Sequence, residues 1–429
     1  MSLKLITGII ILLGIFLFSC SKDKDDEKPK IIINSPFHLQ QVNGIDTIQV
    51  LATISDDRNI ESVTVSVRNE NDINVLANVS KKPNTKNYNL NISYFFDNLQ
   101  LENGVYNLSV RVFDGENTTS EYVKLFYNET PQFREGVFVV SNSQSLTTFY
   151  LLNDNYTANF YYSVQGNHLK TVVDSYNQQL IHSSSQPGNV STIDLNSNSL
   201  GWNVNFNPFP LYTGFYSANQ NLYLGEINGG IQGYDENGNP NYNTPINTGF
   251  YTECMHIHNN QFLVSEERSA STNAAHLVLY WMASGAINQQ ANLNEDVKGI
   301  FSKSTNTIIL LVNNSFLSGK VLFYDVPSSF ITSPFSVNIG KIEDCFEIEN
   351  GTYLVAEAGN LTIIDVNTFT TSSYLLNIGA ERIWYDEVTN ELFVGNGNTL
   401  SVYDFTTKAL KGTYIHSSEI KDVAFWYNK

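Results

Sequence analysis

Polar side chains recur at one position of a strand pattern that repeats along the second part of this chain of 429 residues. The position leads into the first strand of each repeat, and three of its occupants are carboxylates. In chain order they are Thr171, Thr213, Glu253, Gly299, Asp344, Arg382 and Asp422. If the repeats surround one axis, equivalent positions converge into a ring of side chains.

A second recurrent position lies just past the second strand of each repeat and adds three glutamates. Its occupants are Asn142, Ser184, Glu226, Glu266, Asn313, Glu357 and Asn396. The candidate ligand-binding residues are therefore Thr171, Thr213, Glu253, Asp344, Arg382, Asp422, Glu226, Glu266 and Glu357. They predict an acid-lined mouth for a sugar, a cationic or amine-bearing ligand, or a calcium ion. The alternative is that strand ends are polar anyway and that these acids cap turns.

Metal and catalytic chemistry have little support in the sequence. His256 and His258 alternate along one strand and share a face, so they can chelate a metal together with Glu253. Hydrogen-bonded core histidines are the commoner use of such a pair, and Glu347 fills the place of His256 in another repeat. The chain has no nucleophile elbow, no zinc-protease motif, no phosphate loop and no dinucleotide fingerprint. We therefore predict no resident metal, no cofactor and no enzyme activity.

The repeat that defines these positions has a period of about 38 to 46 residues, typical of four-stranded propeller blades. Its units start at Leu169, Leu211, Tyr251, Val297, Ile342 and Ala380. The third strand of most units closes on an aspartate, as in Thr362–Asp365. We predict that this aspartate caps the following turn by accepting backbone amide hydrogens.

The ends of the repeat region predict how it closes. A seventh unit starts at Ile420 and holds one strand, whereas Gly136–Tyr162 supplies three strands that lack an innermost partner. Joining the two removes every open sheet edge. Residues 135–429 are thus predicted to form a seven-bladed β-propeller closed by the C-terminal strand.

Residues 31–130 show alternating apolar runs between Asn, Asp and Gly clusters, as in a small antiparallel β-sandwich. The runs are Thr47–Ile54, Ser62–Val67, Tyr88–Tyr94, Tyr106–Phe113 and Tyr122–Phe126. The segment from Gly104 to Asp114 looks like the penultimate strand of immunoglobulin-like (Ig-like) and fibronectin-like modules, with Tyr106 as the corner tyrosine. We predict an all-β chain in which an Ig-like spacer precedes the propeller.

Several propeller segments carry a family resemblance. They are Gly136-Val-Phe-Val-Val-Ser-Asn142, Ser145-Leu-Thr-Thr-Phe-Tyr150, Gln179-Leu-Ile181 and Val190-Ser-Thr-Ile-Asp194. Together they resemble the YncE-like propellers of Bacteroidota surface lipoproteins, a group that includes cobalamin-capturing proteins seated over TonB-dependent transporters. The resemblance implies ligand capture at the cell surface. Members tend to carry Asn-Glu-Gly where Ser141-Asn-Ser143 stands here, so no particular ligand is implied.

The first thirty residues predict a lipid anchor. Lys4 precedes an apolar stretch, Leu5–Phe18, and Ser19 stands before Cys20. This is the lipobox pattern, in which residues 1–19 are a signal peptide and Cys20 receives the lipid. Residues 20–30 then form a charged tether that resembles the signal sending Bacteroidota lipoproteins to the outer face of the outer membrane. An uncleaved N-terminal membrane helix is the alternative.

Composition narrows the function further. A formal net charge of −18 excludes nucleic acid and anionic lipid headgroups as bulk partners. Two cysteines besides Cys20, Cys254 and Cys345, do not make a disulfide scaffold; the sequence favours buried small side chains. Three hypotheses remain: a lipoprotein that captures a ligand or docks on a TonB-dependent transporter, a propeller enzyme acting on a polysaccharide or peptide, and a scaffold of a surface complex.

The anchor is testable through Cys20. We expect the wild-type chain to lose residues 1–19, to gain lipid mass on its N-terminal peptide and to sediment with membranes. Cys20→Ser should remain unprocessed and unlipidated because serine has no thiol to acylate, and Ser21→Ala should behave as wild type. Mass spectrometry of the N-terminal peptide checks this. Full-length, unlipidated wild-type protein in the membrane would favour the uncleaved helix instead.

Overall fold

The computed structural model describes residues 27–207, 209, 211–272, 274–314, 318–335, 337 and 339–429. The predicted signal peptide, the lipidation site Cys20 and most of the tether lie outside the described residues. Over the described ranges the regular structure is strand, as expected from a chain rich in aromatic and β-branched residues. In the same ranges, no helix has the length and apolarity that crossing a membrane requires. The chain divides into two units between Pro131 and Gln132.

The described part of the first unit contains eight strands. They are β1 (Lys30–Ser35), β2 (Gln40–Asn43), β3 (Thr47–Ile60), β4 (Ser62–Arg68), β5 (Val79–Lys81), β6 (Thr85–Phe95), β7 (Gly104–Phe113) and β8 (Thr118–Asn128). One sheet has the order β1-β3-β6 and the other the order β2-β8-β7-β4-β5. All five predicted runs are present as strands, and several are longer than their apolar core.

A single apolar core lies between these two sheets. Val50 and Ile54 of β3 and Val63 and Val65 of β4 are each fully buried, because alternate residues of a strand face the same side. The Tyr106 hydroxyl donates to the carbonyl of Glu102 at 3.0 Å. That contact is the one expected of a corner tyrosine.

The second unit contains the remaining strands. They are β9 (Arg134–Ser143), β10 (Leu146–Leu152), β11 (Ala158–Gln165), β12 (Asn167–Asp174), β13 (Gln179–Gln186), β14 (Gly188–Asp194), β15 (Ser199–Asn207), β16 (Tyr212–Ala218), β17 (Asn221–Glu226), β18 (Ile231–Tyr234), β19 (Pro240–Asn243), β20 (Phe250–His258), β21 (Phe262–Ser269), β22 (Ala275–Trp281), β23 (Ile287–Leu293), β24 (Asp296–Ser304), β25 (Thr307–Asn313), β26 (Gly319–Asp325), β27 (Phe330–Thr332), β28 (Ile342–Glu349), β29 (Thr352–Glu357), β30 (Gly359–Asp365), β31 (Thr370–Ala380), β32 (Arg382–Asp386), β33 (Glu391–Asn396), β34 (Thr399–Asp404), β35 (Leu410–Ile415) and β36 (Ile420–Tyr427).

These strands form four-stranded antiparallel sheets, seven of them in the described residues. Six sheets use consecutive strands from β12 to β35, whereas β36 returns to pair with β9 in the order β11-β10-β9-β36. One edge strand of each sheet contacts its counterpart in the next sheet, in the order β36, β12, β16, β20, β24, β28, β32; we call these the inner strands. The Trp384 indole of β32 donates to Asp422 of β36 at 2.8 Å and completes the circuit. The second unit is a β-propeller.

Continuous apolar runs in this unit follow from burial on both faces. Strand β25 reads Thr-Ile-Ile-Leu-Leu-Val-Asn, and all five apolar residues are fully buried. Leu310 and Val312 pack into the core shared with the sheet before it, while Ile309 and Leu311 pack into the core shared with the sheet after it. A strand between two neighbours loses the usual polar alternation.

The predicted turn aspartates are confirmed. Asp365 accepts from the amide of Asn367 at 2.8 Å and from the Thr368 hydroxyl at 2.7 Å. Asp404 accepts from the amide of Thr407 at 2.7 Å. These hydrogen bonds lower the pKa of both carboxyls. In the unit without an aspartate, the Trp281 carbonyl accepts the turn amide of Gly285 instead, at 2.8 Å.

A buried ionic cluster joins the first strand of the propeller to the sheet before it. One guanidinium nitrogen of Arg134 lies 2.6 Å from Asp386 and 2.6 Å from Glu391. The Asp386 side chain is fully buried, and its other oxygen accepts the Tyr427 hydroxyl at 2.8 Å. The cluster therefore binds β9 and β36 to β32 and β33.

Removing Arg134 should destabilise the propeller. Arg134→Met leaves Asp386 and Glu391 buried beside a single partial neutraliser, Lys411, and breaking such a pair costs about 3 kcal/mol or more. Lys341→Met removes an exposed pair with Glu343 and should cost less than about 1 kcal/mol. Urea unfolding followed by tryptophan fluorescence checks both variants. Equal, small losses would show that the cluster is not a stabilising contact.

Candidate functional site

The carboxylate of Asp422 joins three inner strands at the ring position predicted from the repeat. It accepts from Lys170 Nζ at 3.0 Å and the Thr171 amide at 2.9 Å, both in β12. It also accepts from Trp384 Nε1 of β32 at 2.8 Å, and His168 Nε2 lies 3.5 Å away. Burial alone would raise the pKa of Asp422, but Lys170, His168 and the Thr171 amide outweigh burial and hold the pKa well below its usual range.

Two histidines, in β12 and β13, extend this network within the sheet that contains Lys170 and Thr171. The Thr171 hydroxyl lies 3.2 Å from His168 Nε2 and 3.2 Å from His182 Nδ1. His182 is fully buried, and its Nε2 has no hydrogen-bond partner in the described part of the chain. Burial lowers the pKa of His182, and the nearby His168 lowers it further, so the ring is neutral.

Three other ring residues also bind the backbone or strand of a neighbouring sheet. Asp344 accepts from the Ile383 amide at 2.9 Å, and burial raises its pKa. Arg382 donates to the carbonyl of Ile420 at 3.3 Å. The Thr213 hydroxyl donates to the carbonyl of Thr252 at 2.6 Å. Four of the seven ring side chains, including that of Asp422, therefore link consecutive sheets.

The ring position coincides with a recurring β-bulge. The pairing register breaks at His168/Lys170, Tyr212/Gly214, Thr252/Met255, Val297/Gly299, Ile342/Asp344 and Ile420/Asp422. A bulge interrupts the alternation of a strand and re-aims the side chains beside it. In β16, β28 and β36 the ring side chain beside the bulge, Thr213, Asp344 or Asp422, reaches the next sheet.

Glu253 and Glu266 meet in a separate charge cluster around Arg268. The guanidinium lies 2.5 Å from Glu266, 2.9 Å from Asp296 of the next sheet and 3.8 Å from Glu253. Glu266 is fully buried, and its Oε2 has no partner within the described residues. Burial raises the pKa of Glu266 to about 7, although Arg268 acts in the opposite direction. Neither glutamate lines the cavity described below.

The other two predicted glutamates, Glu357 and Glu226, lie away from both the Asp422 network and the Arg268 cluster. Glu357 Oε1 accepts the Thr362 hydroxyl at 2.8 Å, and Oε2 accepts the amide of Gly340. Glu226 borders a small recess of about 150 Å³ together with Thr244 and Ile246. The nine predicted residues therefore belong to several places, and no single mouth gathers them all.

A cavity of about 580 Å³ lies among the inner strands β12, β28, β32 and β36. Two predicted residues, Thr171 and Asp344, line it. Its other charged residues are Lys170, Glu347 and Glu387, and its aromatic residues are Phe346, Trp384, Tyr385, Phe425 and Tyr427. The rings of Phe346 and Tyr385 stack with centroids 5.6 Å apart and planes 4° apart. We call this space the central cavity.

Sequence reasoning missed Lys170, Trp384 and the two network histidines. Lys170 precedes the predicted Thr171, and its side chain is 42% exposed although it contacts a buried carboxylate. The sequence did contain a signal for Lys170, since a lysine beside a ring position is unusual in so acidic a chain. Trp384 follows Arg382 by two positions, and its contact with Asp422 could be predicted only by knowing that β32 and β36 are neighbours.

His256 and His258 share one partner in the next sheet. His256 Nε2 lies 2.9 Å and His258 Nδ1 2.8 Å from the Ser302 hydroxyl. His258 Nε2 also lies 3.0 Å from the carbonyl of Thr305. In the described ranges, no group of three or more metal-ligating side chains is found.

Cys254 and Cys345 are free thiols on either side of β24. The first donates to the carbonyl of Val297 and the second to that of Lys298, each at 3.4 Å. Burial raises the pKa of both thiols. Both side chains pack between inner strands, although each residue keeps some exposure.

No family model and no curated protein matches the chain. Among solved structures, it is similar to a quinonprotein alcohol dehydrogenase-like protein from Bacteroides thetaiotaomicron, with a TM-score of 0.47 and 12% identity over 92% of this chain and 99% of that one. It is also similar to the β-propeller domain of Cps50 (Swd1) from Myceliophteria thermophila, with a TM-score of 0.46 and 10% identity over 60% of this chain and 89% of that one. A third is apo AztD from Citrobacter koseri, with a TM-score of 0.45 and 10% identity over 68% and 98%. Likenesses this distant carry no activity or ligand to this chain.

Glu266 should make propeller stability depend on pH near neutrality. Its pKa of about 7 in the folded chain exceeds the value of about 4.3 expected when unfolded. The folded state therefore holds a proton that the unfolded chain releases, so this contribution is present at low pH and is lost as pH rises through 7. The melting temperature of wild type should fall relative to Glu266→Gln between pH 5 and 8, with the exposed Glu343→Gln as control. If the melting temperatures of wild type and Glu266→Gln changed in parallel with pH, the raised pKa of Glu266 would be contradicted.

Proposed function

We propose that this chain is a lipid-anchored, cell-surface binding protein whose central cavity takes up a small ligand. In this proposal Cys20 holds the chain in the outer membrane, an Ig-like sandwich acts as a spacer, and the seven sheets are the blades of one closed ring. The captured ligand passes to a membrane partner such as a TonB-dependent transporter. Binding rather than turnover is proposed.

The central cavity is the observation that carries the proposal. Its volume of about 580 Å³ falls in the range of small-molecule sites, which are about 300 to 1,000 Å³. The stacked pair Phe346 and Tyr385 offers a flat apolar wall, and Glu347 and Glu387 add carboxylates beside it. Aromatic rings with a few polar groups are the usual means of orienting a small ligand.

The walls are held in place before any ligand arrives. Trp384 Nε1 and Lys170 Nζ are bound to Asp422, and the Tyr427 hydroxyl is bound to Asp386. Side chains fixed in this way lose little entropy on binding. With Lys170 neutralised by Asp422, the carboxylates Asp344, Glu347 and Glu387 favour a ring-shaped ligand that carries hydroxyl or amine donors.

Binding can be tested on the purified full chain with a panel of sugars, amino acids and amines. A ligand that binds only the folded state raises the melting temperature as its concentration exceeds Kd. We expect at least one panel member to do so, and Tyr385→Leu and Glu387→Gln each to weaken it about tenfold, a loss that corresponds to one charged hydrogen bond or one stacked ring. Glu343→Gln, outside the cavity, should leave Kd unchanged.

Two results would count against this function. One is that no panel member shifts the melting temperature. The other is that a ligand binds with the same Kd to wild type, Tyr385→Leu and Glu387→Gln, which would place its site elsewhere.

A further inference from the structure

The outward face of the five-stranded sheet in the first unit is recessed where a flat solvent face is expected. Val63, Val65 and Val67 of β4 point into the core and are fully buried. The alternating residue Ser66 should therefore be exposed, yet it is only 3% exposed, and Ser109 opposite it on β7 is 1% exposed. Surrounding side chains cover both residues, and Ser66 lines a groove in this face of the sheet.

The walls of this groove are cationic and polar. Its volume is about 510 Å³, and its lining includes Arg68, Arg111, Asn74 and Asn78. The remaining lining residues are serines, threonines and Phe113, so no carboxylate lines the groove. We call this space the sheet groove.

The two arginines differ in how far they are already engaged. Arg68 donates to the Asp72 carboxylate at 2.9 Å and 3.0 Å, but the Asp72 side chain is 70% exposed, and exposed pairs of this kind are weak. Arg111 is exposed, and among the described residues its guanidinium has no ion pair and no hydrogen bond. It stands opposite Thr64 on β4. The guanidinium of Arg111 is therefore free to donate hydrogen bonds, and it lines a groove that contains no carboxylate.

The overall charge of the chain does not cancel this local field. At physiological ionic strength, charges farther apart than about 8 Å are largely screened. An anion inside the sheet groove therefore interacts mainly with Arg111, because Asp72 partly neutralises Arg68.

We propose that the sheet groove binds an acidic polysaccharide, a chain of sugars carrying carboxylate or sulfate groups. Arg111 meets the anionic group as a bidentate fork. Asn74, Asn78 and Thr64 exchange hydrogen bonds with sugar hydroxyls. Tyr122 of β8 pairs with Ser109 of β7 and is 51% exposed. Its ring offers an aromatic face beside the groove.

A membrane surface is the competing source of anions, and the groove suits it poorly. Recognition of anionic lipid usually takes clusters of four to eight cations on a protruding or amphipathic surface. The sheet groove has two cations, is concave, and has one apolar lining residue, Phe113. A narrow polymer that enters the recess fits these features better than a flat bilayer.

The test measures binding of the full chain by calorimetry to polygalacturonate, chondroitin sulfate and neutral dextran, and by flotation to vesicles of phosphatidylcholine and phosphatidylglycerol. We expect binding to at least one acidic polymer, weakening with added salt, and none to dextran or vesicles. Arg111→Gln should weaken it about tenfold, as loss of a charged hydrogen-bonding partner does. Arg111→Lys should lose less because it keeps the charge but not the fork.

A matched control comes from the opposite sheet. Lys86→Gln on β6 removes the same charge from an exposed position and should leave Kd unchanged. Equal weakening by Arg111→Gln and Lys86→Gln would mean that only net charge matters and would overturn the proposal. So would failure to bind both acidic polymers, or flotation with vesicles that Arg111→Gln abolishes. Tyr385 lines the central cavity and not the sheet groove, so Tyr385→Leu should bind the polymer as wild type does.

Discussion

The propeller depends on one buried carboxylate. Asp422 lies on the strand that returns to the first sheet, and it accepts hydrogen bonds from β12 and from β32 on either side. A carboxylate can do this because it has two oxygens and several acceptor directions, and because Lys170 supplies the opposite charge. The returning strand is also held by its pairing with β9, by the hydrogen bond of Tyr427 to Asp386 and by that of Arg382 to the carbonyl of Ile420. The contacts of Asp422 also fix Lys170 and Trp384, which line the central cavity.

Backbone architecture was accessible from the sequence because it rests on periodicity. The third-strand aspartates cap their turns, and the returning strand at Ile420 pairs with the segment that begins near Gly136. The contact of Tyr106 with the carbonyl of Glu102 is the one that the resemblance to Ig-like modules implied. Each of these features is local, or depends on a count of strands. Strand β1 was missed because its three consecutive isoleucines do not alternate with polar residues, although the strand alternates between exposed and half-buried positions.

The candidate site was accessible only in part, and the bulges are the reason. Alignment of repeats brought Thr171, Asp344 and Asp422 to equivalent places. It could not show that the chain bulges there, or that Asp344 and Asp422 accept backbone amides of neighbouring sheets. Glu253 and Glu266 were grouped with them, but Arg268 draws both into a cluster of its own. An acid at a repeated ring position can therefore serve to hold neighbouring sheets together. The aromatic residues beside it, such as Trp384 and Tyr385, line the central cavity.

The pairing of β36 with β9 also determines the order in which the two units can fold during synthesis. Roughly 280 residues separate the two strands, so a polypeptide that emerges from its N-terminal side presents β9 long before β36 exists to cover it. During that interval β9 is an unpaired edge that other chains can join. The first unit has all its strand partners early and can fold at once, whereas the propeller must wait. The chain therefore needs a period of protection whose length is set by the rate of synthesis rather than by its own folding rate.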